Sequence, residues 1–158
     1  MSDETPRVGV LAASPSELPI MRQAGLILEK FGIAHEVRIM SSSRNPDLVD
    51  EYARTASERG LSVVICSTGL SGHLAAAVAA RTILPVIGVP IATAPQMSGG
   101  EALAITAQMP TGVPVATVGV EAAVNAAVLA AQIVAVHDAD VQPLLWKFKD
   151  DLAEGLKL

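Results

Sequence analysis

Three short segments of this chain gather side chains that can bind or transform a small anion. The first is Ala13–Ser14–Pro15–Ser16–Glu17. Two hydroxyls just before a helix start suit negative charge, because free backbone N–H groups and the helix dipole favour it there. The same residues would also serve as an ordinary serine cap. The second is Ser41–Ser42–Ser43–Arg44. A guanidinium can hold two phosphate oxygens at once, and the neighbouring hydroxyls add donors. The plainer alternative is a polar turn with a surface arginine. The third is Ser67–Thr68–Gly69–Leu70–Ser71–Gly72–His73–Leu74. Its glycines let backbone come close to a ligand. Imidazole, as at His73, is the side-chain type that takes and gives protons near neutral pH.

Other reactive residue types read as structural. His35 falls at a strand start and His137 at a helix end. Cys66 ends an apolar strand and suits core packing better than nucleophilic attack. No Cys pair, no His pair at helical spacing and no acidic cluster has the spacing of metal ligands. There is no P-loop, and no G-x-G-x-x-G follows the first strand.

The elements that must position these segments alternate in type. Short apolar runs at Val8–Ala12, His35–Met40, Leu61–Ser67, Pro85–Val89 and Val113–Val118 read as strands. Between them, Glu17–Phe31, a helix from Pro46 to about Arg59, Leu74–Thr82 and Glu101–Gln108 read as helices. Asn45 is placed as a cap, Pro46 at the first helical position, and Gly60 as the stop. Ala122–His137 is an apolar helix, and Asp138–Leu158 an amphipathic one. Such alternation predicts an α/β fold, a three-layer sandwich whose central parallel sheet of about five strands is flavodoxin-like or Rossmann-like. In such sheets, ligands bind beyond the carboxyl ends of the strands, where all three segments fall.

One domain over residues 1–158 is expected, with 138–158 as a helical tail. Hydrophobic residues make up 51% and charged residues 17%, which is too apolar for disorder. So little polar surface, with a helix apolar nearly all round at Ala122–His137, predicts burial against other subunits. The tail helix is expected to pack on a neighbour. The net charge is −5, and the cations are scattered, which argues against nucleic acid as a partner. No apolar run is long enough to span a membrane. One cysteine and an acidic start without an apolar leader lead us to expect a cytoplasmic protein.

In order and spacing, the three segments resemble the carboxyaminoimidazole ribonucleotide mutase family of purine biosynthesis. The resemblance runs from about Arg7 to His137. It is carried most specifically by Gly72–His73–Leu74, Leu84–Pro85–Val86–Ile87–Gly88–Val89–Pro90, the run from Gln108 to Val115, and the run from Asn125 to Gln132. It implies an octamer of parallel α/β subunits working without metal or organic cofactor. The implied activity moves a carboxylate from the exocyclic amine of an aminoimidazole ribonucleotide to the adjacent ring carbon, or adds carbon dioxide or bicarbonate to that carbon directly.

By position, Ser14, Ser16 and Glu17 match the family's Gly-Ser-x-Ser-Asp loop for phosphate and ribose, with Glu17 in place of Asp and Ala13 in place of Gly. Ser41 and Arg44 match the phosphate-binding ends of its Ser-Ala-His-Arg motif, whose proton-shuttle His falls on Ser43. His73 matches the His near the migrating carboxylate, and Leu74 follows it. Ser67, Gly69, Ser71 and Gly72 occupy the family's small-residue loop, with bulky Leu70 among them. The resemblance thus assigns catalysis to positions Ser43 and His73 and substrate binding to the remainder. Replacement of a general acid–base group typically removes about 100- to 10,000-fold in rate. Ser43 and Leu70 therefore keep two other readings open. One is a relative that carboxylates or decarboxylates a different heterocyclic ribonucleotide; the other is a non-catalytic ribonucleotide-binding octamer.

Overall fold

The computed structural model describes residues 5–69, 73–93 and 95–155. Its centre is a parallel sheet of β1 (Val8–Ala12), β2 (His35–Ile39), β3 (Val63–Thr68), β4 (Val86–Pro90) and β5 (Ala116–Thr117). The spatial order is β2-β1-β3-β4-β5, the flavodoxin-like order. The chain reverses its direction of travel across the sheet between β1 and β3, so a crevice opens beyond the carboxyl ends of these two strands.

Helices cover both faces: α1 (Leu18–Lys30), α2 (Pro46–Thr55), α3 (His73–Ala79), α4 (Gly99–Ala107), α5 (Ala123–Ala135) and α6 (Val141–Ala153). The strand period of two sorts the core. Val8, Val10, Val63, Ile65, Ile87 and Val89 face α1 and α5. Leu11, Val64, Cys66 and Val86 face α2 and α3. With side chains buried on both faces, β1 and β4 read as continuous apolar runs, and β3 does so up to Cys66 before ending in buried Ser67 and Thr68.

The alternating pattern is borne out, with shifts at element ends. The first helix is preceded by a 3₁₀ turn at Pro15–Glu17. α2 stops at Thr55, and the chain reaches Gly60, at φ +91°, through turns. Only Ala116–Thr117 of the fifth apolar run pairs with β4, since Pro114 brings no N–H to a ladder. Asn45 makes no side-chain cap to α2; its Oδ1 accepts from Ser41 N at 2.6 Å instead.

α5 owes much of its burial to its own chain. It packs on α1, on α6 and on β3 and β4. Phe148 of α6 meets Phe31 edge-on at 5.4 Å between ring centres. The opposite side of α6 leaves Trp146 71% exposed. No described helix is long and apolar enough to cross a membrane.

Candidate active site

The crevice at the β1–β3 switch point holds a cavity of about 440 Å³. The loop after β1 supplies Ala13, Ser14, Ser16 and Glu17, and the loop after β2 supplies Ser41, Ser42, Ser43 and Arg44. The end of β3 and the start of α3 add Ser67, Gly69, His73 and Leu74. Every described residue that the resemblance assigned to catalysis or substrate binding therefore lines one cavity. Leu70, Ser71 and Gly72 lie outside the described residues.

The first two loops are tied together. Arg44 Nη2 donates to the Ala13 carbonyl at 2.6 Å, which brings the guanidinium over the end of β1. Ser41 Oγ accepts from Arg44 N at 3.3 Å, and Asn45 closes the same turn through Ser41 N. Ser14 sits at the cap position of the 3₁₀ turn without capping it. Its hydroxyl pairs with that of Ser16 at 2.8 Å. Two hydroxyls and a guanidinium thus line the same cavity, a set of donors suited to a phosphate ester.

The deeper wall is different in character. Glu17 is buried, and its carboxylate accepts from Ser67 Oγ and from Ala13 N. Burial of a carboxylate requires such donors. His73 is exposed at the first residue of α3 and Ser43 is exposed in its turn, so both reach the cavity from its rim. Leu74 turns into the core below α3 while still forming part of the wall.

Thr93 and Gln96, from the segment after β4, also line the cavity and were not singled out in the sequence. That segment has neither a cation nor a glycine-rich turn. Only the rule that strand ends bind ligands could have pointed to it. The Thr93 hydroxyl is buried and has no hydrogen-bond partner among the described residues.

Other clusters among the described residues lack this convergence. A groove of about 490 Å³ between α2 and α3 shares Ser42, but its Arg81 is already paired with Asp50 at 2.9 Å. Among the described residues, no three His, Cys, Asp or Glu side chains are grouped as a metal would need. Burial holds the Cys66 thiol far above its ordinary range, which suits packing rather than attack. His35 bonds the Ile33 carbonyl through Nδ1 and lies against Gly25, a structural setting.

A family model described as AIR carboxylase matches residues 7–155. The chain belongs to the AIR carboxylase family. It is 46% identical over 145 residues to the N5-carboxyaminoimidazole ribonucleotide mutase of Thermotoga maritima, covering 92% of this chain and 84% of that one. Against the mutase of Pyrococcus abyssi it is 42% identical over 147 residues, covering 93% and 84%. The phosphoribosylaminoimidazole carboxylase of Schizosaccharomyces pombe is 42% identical over 151 residues, but the match spans only 27% of that longer protein. Among solved structures, the fold matches Treponema denticola PurE with a TM-score of 0.83 at 24% identity, covering 94% and 92%. The expected family and the flavodoxin-like sandwich are both borne out.

Proposed function

We propose that this AIR carboxylase family member transfers a carboxyl group on an aminoimidazole ribonucleotide, as a mutase or as a carboxylase running in either direction. The observation that carries this reading is the convergence of Ser14, Ser16, Ser41 and Arg44 with Glu17 and His73 in one cavity at the switch point. The hydroxyls and the guanidinium hold the phosphate, with Arg44 already placed over the loop after β1. Glu17 accepts from the ribose. Gly69, Ser67 and Leu74 line the approach of the heterocycle, and the family pattern assigns Ser71 and Gly72 to substrate binding as well. Carbon dioxide leaves the exocyclic nitrogen, which takes up a proton. The adjacent ring carbon then bonds to carbon dioxide and gives up its proton. These transfers balance, and His73 is the side chain on the rim able to move the ring proton. The unit at work is one domain over the whole chain, with 138–158 as a tail. We place it in the cytoplasm as a homo-octamer, in keeping with its apolar composition.

Ser43 favours a second reading, action on a different heterocyclic ribonucleotide, because a hydroxyl does not titrate near neutral pH. Purified protein given aminoimidazole ribonucleotide and its two carboxylated forms separates the readings. The first expects proton exchange at the ring carbon and release of carbon dioxide. Tight binding with neither excludes the first and leaves action on a different heterocycle or binding without catalysis. A Ser43→His variant is expected to raise the mutase rate by about 100-fold. No gain in stopped assays with intact binding would exclude position 43 as the limiting group.

A further inference from the structure

Glu17 is 4% exposed, and Ser67 is wholly buried beside it. Strand alternation puts Ser67 on the same face of β3 as Val63 and Ile65, the face covered by α1. Glu17 stands at the entry to that helix. The two side chains meet for this reason, although 50 residues separate them.

Their hydrogen bonds leave little freedom. Ser67 Oγ donates to Glu17 Oε2 at 2.5 Å and accepts from Ala13 N at 2.8 Å. Ala13 N also approaches Oε2, at 3.1 Å. A hydroxyl has one proton, so the Ser67 proton is committed to Glu17 and is not offered to a ligand. Both donors meet the same carboxylate oxygen. The other, Oε1, lies over Gly69, where an added Cβ would stand 2.1 Å from it.

We infer that Ser67 is a positioning residue that grips Glu17 through Oε2, so that Oε1 alone is presented to one hydroxyl of the bound ribose. This rests on the ribonucleotide reading above. A carboxylate held through Oε2 cannot grasp two vicinal hydroxyls with one oxygen each, so the hydroxyl nearer Oε1 is read more strongly than its neighbour.

Calorimetric titration with ribose 5-phosphate and its 2-deoxy and 3-deoxy forms tests this without any turnover. Wild-type protein is expected to lose about 10-fold in affinity for one deoxy sugar, the scale of a hydrogen bond to a charged group, and little for the other. Ser67→Ala should erase that preference while retaining phosphate-driven binding, and Ser67→Thr, which keeps the hydroxyl, should retain it. Glu17→Gln should also erase it, and adding Ser67→Ala should then change nothing further. Should Ser67→Ala not fold, Gly69→Ala carries the test, since it displaces Oε1 and should erase the preference as well. The inference is overturned if Ser67→Ala weakens all three sugars equally, if it leaves the preference intact, or if wild type discriminates against both deoxy forms alike. Wild-type protein that binds none of the three sugars would overturn the ribonucleotide reading itself, and this inference with it.

Discussion

Among the described residues, Arg44 is the cavity's one permanently charged cation, and its hydrogen bond to the Ala13 carbonyl holds it beside the loop after β1. Arg44→Ala is expected to weaken ribonucleotide binding by about 10- to 100-fold, from the loss of charge-assisted hydrogen bonds. Because the side chain is exposed, the thermal midpoint should stay where it is. Calorimetry and a melting curve on the same sample check both halves. A large fall in stability would make Arg44 a structural link instead. Arg44 and the serines were legible in the sequence because they sit in turns between a strand and a helix, where a polar cluster has a stated use. The burial of Glu17 was not legible, because it depends on Ser67 from a distant strand. Nor were Thr93 and Gln96, which carry no local mark.

The elements were legible where a pattern repeats and blurred where one residue decides an end. α1 followed from its apolar spacing, and α5 from a long, almost wholly apolar run. β5 shrank because Pro114 has no N–H to give, and Asn45 was taken from its expected cap by Ser41 N. β4 shows what close packing demands of one residue. An added Cβ at Gly88 would stand 2.4 Å from Thr106 Cγ2 and 2.9 Å from Val115 Cγ1. Gly88→Ala should therefore push α4 and the segment before β5 away from the sheet. The expected cost is about 1–3 kcal/mol, the usual scale of overpacking. Urea unfolding should show a lower midpoint with an unchanged slope. An unchanged midpoint would mean that α4 yields freely.

At the scale of the whole molecule, acid stability is tied to the amino end of the sheet, opposite the cavity. Burial works to raise the Glu36 carboxyl, but hydrogen bonding and charge from Arg59, helped by the charge of Arg38, hold it below its ordinary value. The unfolded chain then binds that proton more tightly than the folded one. The stabilisation is complete above the ordinary carboxylate range and is lost as pH falls toward the lowered value. Urea midpoints followed from pH 7 to about pH 3 should fall in wild type and fall less in Glu36→Gln. Parallel curves would assign the acid limb to other carboxylates. At the carboxyl end of the chain, the exposed face of α6 carries the sole indole, Trp146. The molecule therefore has a single-site optical reporter far in sequence from the ligand loops. In the octamer proposed above, a neighbour seated on α6 would dry that ring, shift its emission to the blue and shield it from iodide. Dilution should reverse both effects together with the loss of mass in light scattering. Emission that stays water-like at every concentration would place the subunit contacts on other faces.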